Sequence, residues 1–532
     1  MRRPLTLAFL LAVVCWTIGP RSIAAQIPPF GGAREYVADL TARRARILHA
    51  LGSETVLVLW SAPLRVYSAD IDYEYRQESN LLYLTGIDQE ETILVLIPGG
   101  RTTRAVLFVH QGDPTSALWT GRSLTAAEAA DRSGIATVIP QRGTEAFDAF
   151  IAALVSGGET DNGRIATDRP GGEVEADARA LAAKASDGFA AAMRAGQARL
   201  GVLGRVPPAS DGSEALENAT PGGVGRDSDI HVQWARNLQR THAGLTAFSA
   251  DAMFANARQT KTPYEQAVLK RSVEISAQAQ VAGMKAARPG RWEYEVEAAV
   301  EHWNLAHGAM SWGYPSIVAS GPNATTLHYL KSTRQMRDGD LLLVDAAGNF
   351  QGLTGDITRT YPVNGRFSDS QRAIYALVLR AQDAGIAAAR PGARIADVTA
   401  AVRAVFADGL RGLGLVVDLA GSLTESAQVS LWFPHGPVHG IGVDVHDSLD
   451  ALNPGAAFVI EPGLYIREDT LENLSRTNAS LAARLRPATE RFRNVGVRIE
   501  DSFLMTESGP VMMSAAAPRT IPDIERVVGT GP

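Results

Sequence analysis

Cysteine is nearly missing from this 532-residue chain: Cys15 is the only one. A single thiol excludes a disulfide framework and a thiolate-rich metal site, and a chain of this length builds its core without disulfides. Basic runs and stripes are missing as well. With a formal net charge of −6 and a pI near 6.0, nothing suits the chain to a nucleic-acid partner. The one long apolar run, Leu5 to Ile18, falls short of the roughly 20 residues that span a bilayer, so no stable membrane anchor is expected. Apolar residues at 45% and charged residues at 20% lie close to the globular average, which excludes wholesale disorder.

The short apolar run reads instead as an export signal over residues 1–25. Arg2 and Arg3 precede it, and the small residues Ser22, Ala24 and Ala25 follow, with cleavage expected after Ala24 or Ala25. Cys15 lies inside the signal, and Val14 occupies the position where a lipid-anchor signal wants a small residue. The mature protein is therefore expected to be thiol-free and exported, periplasmic or secreted. The arginine pair leaves both the general and the twin-arginine export routes open.

The length suggests roughly three to four domain-sized units, fewer if some are large. Two are expected, an N-terminal α/β unit over 34–250 and a larger one over 256–525. Short apolar runs at Thr55 to Leu59, Leu81 to Leu84, Thr92 to Ile97 and Ala105 to Val109 predict strands. The Ala-rich stretch from Glu173 to Leu200 predicts helix, within an Ala/Gly-rich insertion that matches no motif. Gly204 to Asp229, rich in Pro, Gly, Ser and Asp, predicts a linker. The second unit opens with a helix whose start is marked by Thr262, Pro263 and Glu265, an N-cap, an N1 proline and an N3 acid. Leu269, Val273, Ala277 and Val281 are expected on its buried face. A repeat follows: Ala287-Arg-Pro-Gly290 recurs as Ala389-Arg-Pro-Gly392, and Val296 and Val300 recur as Val398 and Val402, at a constant offset of 102 (389 − 287). It predicts a duplicated α/β (α+β) domain whose halves face each other, each with a helix-turn-helix piece.

Chemistry-bearing residues gather in the second unit. Asp345 ends the apolar run Leu341 to Val344, and Asp356 follows after a turn containing Gly352 and Gly355, so a hairpin would bring the two together. Taken alone, each is more often a turn or cap residue than a ligand. His435, His439 and His446 are three of ten histidines in the chain, crowded into twelve positions, and imidazole serves both as metal ligand and as proton carrier. Glu461 ends the run Ala456 to Ile460, and Glu500 ends Val495 to Ile499; a buried carboxylate at such a place needs a partner. Asp345, Asp356, His439, Glu461 and Glu500 form a hard, oxygen-rich set suited to manganese, zinc or another first-row divalent ion. Four carboxylates carry about −4, which two divalent cations neutralise and one does not.

These segments resemble a known family. Asp72-Tyr-Glu-Tyr-Arg-Gln-Glu-Ser79 with Leu84-Thr-Gly86 is similar to the N-terminal domain of aminopeptidase P. Gly355-Asp-Ile-Thr-Arg-Thr360, Glu461-Pro-Gly-Leu-Tyr465 and Gly496-Val-Arg-Ile-Glu-Asp501 resemble the pita-bread metallopeptidases, in their Xaa-Pro aminopeptidase and Xaa-Pro dipeptidase branch. The resemblance implies a creatinase/aminopeptidase P-like N-terminal domain and a pita-bread catalytic domain. It implies five metal ligands, Asp345, Asp356, His439, Glu461 and Glu500, with Asp356 and Glu500 bridging two divalent ions, Mn2+ foremost and Zn2+ or Co2+ as alternatives.

Glu461 takes the place of the general base, His328 that of a histidine in proton transfer, and His435 and His446 those of residues at the scissile bond. Tyr465 and Arg498 match residues lining the proline side. The implied reaction is hydrolysis of the bond between an N-terminal residue and proline by a bridging hydroxide, on peptides with proline second. The implied assembly is a homo-oligomer, dimer or tetramer. Pro437 and Val438 depart from the family pattern just before His439, which predicts a reshaped loop. The rival within the family is an Xaa-Pro dipeptidase; a rival outside catalysis, a pita-bread peptide-binding protein, is opposed by the presence of all five ligands.

Overall fold

The apolar runs of the N-terminal half are buried on both faces, which explains why they do not alternate with polar residues. In the computed structural model, which describes residues 29–531 apart from 101–102, 157–171, 186, 207–224, 421 and 468, they build one six-stranded sheet. Its spatial order is Thr137–Gln141, Ala105–His110, Ile93–Leu96, Thr55–Trp60, Ala198–Val202, Leu245–Ser249. The two central pairings are antiparallel and both flanks continue in parallel. Alternate side chains serve two cores. Val56, Val58, Val95 and Phe108 pack with Phe147, Phe150 and Phe189 from the outer helices. Leu57, Leu59, Leu94 and Leu107 pack with Tyr264, Leu269 and Val273 of the second unit. The sheet is thus bonded to the C-terminal half through its inner face.

Several expectations change here. The expected signal, residues 1–25, lies outside the described residues, as does most of the expected linker; the linker's end, from Gly225, begins a helix that runs to Thr241. Leu81 to Leu84 is not a strand but the middle of the helix Ser79–Thr85, capped by the Glu78 carboxylate and stopped by Gly86 at φ 65°. A four-residue apolar run is compatible with either state, and the caps decide it. The Ala-rich stretch forms the helices Gly172–Ala185 and Asp187–Ala195, but its end enters the strand Ala198–Val202. The region read as an insertion supplies three of the six strands, so it completes the sheet.

The helix Pro263–Ala286 starts as expected. Thr262 Oγ1 accepts from the Glu265 amide at 3.1 Å, and the Glu265 carboxylate accepts from the Thr262 amide at 2.8 Å. Leu269, Val273 and Ala277 are buried while Val281 is only half-buried. Steps of four overshoot a 3.6-residue turn, so the row drifts off the buried face, which Gln280, Gly283 and Met284 occupy instead.

The repeat is a structural one. Pro263–Ala286 pairs with Glu293–Ala306, and Asp369–Ala388 with Ile395–Gly412. Each first helix ends at the repeated alanine, Ala287 or Ala389, and each turn passes through a glycine at positive φ, Gly290 at 88° and Gly392 at 81°. Where each pair packs, a glycine lets the helices close: a Cβ on Gly283 would meet Val300 at 2.8 Å, and one on Gly385 would meet Val402 at 3.0 Å. Opposite the helices run antiparallel strands. Ile317–Ser320, Leu341–Asp345 and Thr358–Pro362 form one sheet, and Ala457–Ile460, Asp501–Thr506 and Gly509–Met512 another. Gly463–Tyr465 pairs with Gly496–Arg498 between them. Among the described residues no helix is long and apolar enough to cross a membrane.

Candidate metal centre

Each candidate acid sits where a strand leaves its ladder. Asp345 is the last residue of Leu341–Asp345 and pairs with Thr358; Asp356 lies two residues before Thr358 on the opposite strand, so the two carboxylates return to one another as expected. Between them the chain makes a side hairpin of its own, Gly348–Phe350 with Leu353–Thr354. In the other half, Ile460 pairs with Asp501 and Gly463 with Arg498. Glu461 and Glu500 occupy the crossing where both strands pass from one sheet to the next. The Glu500 amide donates to the Thr358 carbonyl at 3.1 Å, and the Thr358 hydroxyl to the Glu500 carboxylate at 2.7 Å, which joins the two halves at the site.

His439 comes from a segment running beside Ala457–Ile460. The Val459 amide donates to its carbonyl at 3.0 Å, and the Glu461 amide to that of Pro437 at 2.9 Å. Pro437 and Val438 are both buried, and Val438 packs on Phe458, Ile460 and Val398. The departure from the family pattern therefore leaves a pinned segment. The His439 Nδ1 lies 3.0 Å from the Gly440 carbonyl and so carries the hydrogen. Its Nε2 then turns a lone pair toward Glu461 at 3.5 Å, Asp356 at 3.7 Å and Glu500 at 3.9 Å.

All five candidate ligands converge. Asp345, Asp356 and Glu500 form one group, and His439, Glu461 and Glu500 a second, each able to bring one ligand atom per residue within 4.8 Å of the others. Asp356, His439 and His446 form a third such group. Electrostatics shows what this arrangement lacks. Burial, then Glu500 and Asp345, pushes the Asp356 carboxyl well above its usual range. Burial and Glu500 do the same to Glu461, and burial followed by Asp345 pushes Glu500 up to about 8. Burial takes His439 down to about 4. A cluster of buried acids facing an unprotonated imidazole nitrogen repels itself, and divalent cations supply the missing charge. The residues present fit such ions in both groups.

The remaining candidates flank the cluster. Arg498 is buried and forked, donating to Asp345 at 2.5 Å, the Thr358 hydroxyl at 3.0 Å and the Tyr465 hydroxyl at 3.0 Å. Tyr465, also buried, reaches the His435 Nε2 at 3.0 Å, so His435 and Asp345 are joined through two side chains. His435 is half-buried and taken down to about 4, first by burial and then by Arg498. His446 is exposed and stands against His439 with ring centroids 4.4 Å apart. His328 is exposed on a nearby loop, and its charge opposes protonation of both His435 and His446.

Sequence reasoning missed Tyr314. Its hydroxyl lies 2.6 Å from Asp345 and 2.5 Å from Asp356, and burial raises it well above the usual phenol range. The only local signal is its place between Gly313 and Pro315, a turn that says nothing of carboxylates.

The chain is similar to known proteins over most of its length. Residues 267–507 match metallopeptidase family M24, and residues 40–161 match the N-terminal domain of aminopeptidase P. The Xaa-Pro aminopeptidase of Escherichia coli K12 is 31% identical over 494 residues, covering 91% of this chain and 96% of that one. A rat Xaa-Pro dipeptidase is 33% identical over 297 residues, but the match covers only 50% of this chain and 60% of that one. The solved structure of E. coli aminopeptidase P with the inhibitor Pro-Leu superimposes with a TM-score of 0.71 at 29% identity, over 92% of this chain and 98% of that one.

Proposed function

The chain belongs to the Xaa-Pro aminopeptidases, with a catalytic part of metallopeptidase family M24, and from that premise we propose how its own residues carry the reaction. The protein is a metal-dependent exopeptidase that hydrolyses the bond between an N-terminal residue and a following proline. Our reading is that two divalent ions, Mn2+ foremost, would be held together by Asp345, Asp356, His439, Glu461 and Glu500, with Asp356 and Glu500 in the shared places. The observation that carries it is the His439 Nε2 lone pair, turned toward three carboxylates that burial and mutual repulsion leave short of positive charge.

When bound, the ions supply Lewis acidity toward the scissile carbonyl and lower the pKa of water. The side chains do the rest. The scissile amide has no N–H, so recognition cannot rest on that donor. Glu461, at the edge of the cluster, accepts the proton released from water. His446, shifted toward the neutral form, donates a hydrogen bond to the developing oxyanion without adding charge to a cationic centre, while His435, its Nδ1 hydrogen on the Gly436 carbonyl and its Nε2 accepting from Tyr465, contacts the substrate beside the scissile bond. His328, exposed at the mouth, relays a proton toward the departing proline nitrogen. Tyr465 and Arg498 form the wall on the proline side and hold His435 and Asp345 in register.

A substrate comparison tests this reading. The aminopeptidase assignment is supported by the match at residues 40–161 and by the near-complete overlap with the bacterial aminopeptidase. Xaa-Pro-Xaa tripeptides should be cleaved in the presence of Mn2+, Co2+ or Zn2+, and Asp356→Ala should abolish turnover. Activity confined to Xaa-Pro dipeptides would instead make the protein a dipeptidase. We also propose export to the periplasm or beyond, supported by Arg2, Arg3 and the run Leu5 to Ile18. N-terminal sequencing of mature protein should begin just after Ala24 or Ala25. A homo-oligomer, dimer or tetramer, rests on the family resemblance, and light scattering tests it.

A further inference from the structure

Each half of the duplicated domain buries one glutamine behind its pair of acids. Gln280 lies on Pro263–Ala286 and Gln382 on Asp369–Ala388, at the repeat offset of 102 (382 − 280), and both are fully buried. The Gln280 amide nitrogen donates to the Ile357 carbonyl at 2.8 Å and the Ala346 carbonyl at 3.3 Å. These are the residues that follow Asp356 and Asp345. The Gln382 amide nitrogen donates to the Ile460 carbonyl at 3.1 Å and the Ile499 carbonyl at 3.2 Å. Those carbonyls belong to the peptide bonds that lead into Glu461 and Glu500.

In both halves the amide acts where the ladder has just ended. The last regular pairs are Asp345 with Thr358 and Ile460 with Asp501; past them the first two strands keep only a long bond from Ala346 to Ile357, and the second two present their acids before pairing again at Gly463 with Arg498. An NH2 group has two hydrogens, enough for one carbonyl on each strand, so it ties the two backbones together, at Gln280 beside the long bond from the Ala346 amide to the Ile357 carbonyl (3.3 Å), and sets their separation. Among the described residues the Gln280 side-chain oxygen has no hydrogen-bond partner, so the two carbonyls fix the direction of its amide. At Gln382 the two hydrogens are shared among three acceptors, the two carbonyls and Asp501 at 2.9 Å, and its oxygen accepts from Arg519 at 3.0 Å.

The rest of the first helix's polar row is not repeated. Ser272 and Ser276, eight and four positions before Gln280, bond the side hairpin at Gly348 and Gly355. Their counterparts 102 positions on are Ile374 and Val378, both buried in the apolar core. Of these three positions only the glutamine is present in both halves, which separates its role from general helix-to-strand bonding.

We infer that Gln280 and Gln382 are positioning residues that each set the spacing of one pair of metal ligands, Asp345 with Asp356 and Glu461 with Glu500. The inference rests on the metal reading above and gives each half control over the spacing of its own pair of ligands.

The test uses the full chain, stripped of metal by chelation and titrated with MnCl2. It reads bound Mn2+ and the melting temperature of metal-free and loaded protein. Gln280→Met and Gln382→Met, each removing the donors at similar length, are expected to weaken Mn2+ binding about tenfold and to shrink the metal-induced rise in melting temperature. A merely structural role lowers both melting temperatures equally and leaves Mn2+ affinity within about twofold of wild type, which would overturn the inference. Where a Met variant does not fold, Gln280→Asn or Gln382→Asn takes its place. It keeps the polar group but is too short to span both carbonyls, and wild-type Mn2+ binding by it counts equally against the inference. A wild-type chain that shows no metal-induced stabilisation overturns the metal reading itself. A wild-type response that the variants share overturns only the role of the glutamines.

Discussion

Asp345 is oriented by two neighbours of opposite character, Arg498 at one oxygen and the Tyr314 hydroxyl at the other. That hydroxyl has one hydrogen for two carboxylates, so without metal the pair is short of protons as well as of charge. The folded-state shift of Glu500 is upward, from 4.5 to about 8, and Asp356 and Glu461 move the same way. A carboxyl raised on folding favours the folded state below its ordinary pKa, and that contribution is lost as pH rises through the folded value. The lowered histidines His435, His439 and His446 act in the opposite sense up to 6.5, so metal-free protein should melt at progressively lower temperature as pH is raised from 6.5 toward 8.

Metal reverses the sign, because ions displace those protons. Calorimetric titration at pH 7 in two buffers of different ionisation enthalpy should show proton release on Mn2+ binding; buffer-independent heats would contradict it. Arg498→Lys keeps the charge but not the fork that serves Asp345, Thr358 and Tyr465 together, and is expected to lower kcat/KM on Xaa-Pro-Xaa peptides about 10- to 100-fold. The acids themselves were legible in sequence, since Asp345, Glu461 and Glu500 each end an apolar run and Asp356 follows the turn that brings it back to Asp345. Tyr314 was not, because its partners lie 31 and 42 positions away and share no pattern with it.

Helix pairing is where the repeat acts. Gly283 and Gly385 sit at matching places and face matching valines, so each helix-turn-helix piece closes through the absence of a side chain. Gly283→Ala would gain about 1 kcal/mol of helix propensity, but its Cβ would lie 2.8 Å from Val300 and 3.1 Å from the Tyr361 hydroxyl. Overpacking of this kind costs about 1–3 kcal/mol, so the net expectation is destabilisation. Gly412, at the end of Ile395–Gly412, faces open space, and Gly412→Ala should be neutral or mildly stabilising. Urea denaturation of both variants separates packing from propensity: equal shifts in midpoint would reject the packing account. Sequence made the repeat visible because alanine, proline and glycine mark the turn. It could not assign Leu81 to Leu84, where four apolar residues carry no period and only Glu78 and Gly86 speak for helix.

The two halves of the whole chain meet at the loop that carries His446. The segment Tyr75 to Ser79, part of the aminopeptidase P resemblance, grips this loop from the N-terminal unit. Arg76 donates to Val443 at 3.2 Å and Asp444 at 3.3 Å, and the Ser79 hydroxyl to Asp444 at 2.6 Å. Arg258 stands between, reaching Asn80 at 3.0 Å, Asp444 at 2.5 Å and buried Asp447 at 3.1 Å, while Lys261 adds a bond to Asp447 at 2.9 Å. The signature was legible as a motif, but its partners lie more than 360 positions away, so its purpose was not.

Arg258→Met removes one cation from two aspartates and leaves buried Asp447 to Lys261 alone. Breaking a buried pair from one side costs about 3–5 kcal/mol, and the remaining lysine should hold the loss near the lower figure. Because Asp447 follows His446 and bridges to Gly440 beside His439, the loop should also shift its histidines. The expectation is a lower kcat at temperatures where the variant is fully folded, with Mn2+ affinity changed less than kcat. Unchanged kcat under those conditions would mean that the network only joins the two units and does not position the loop.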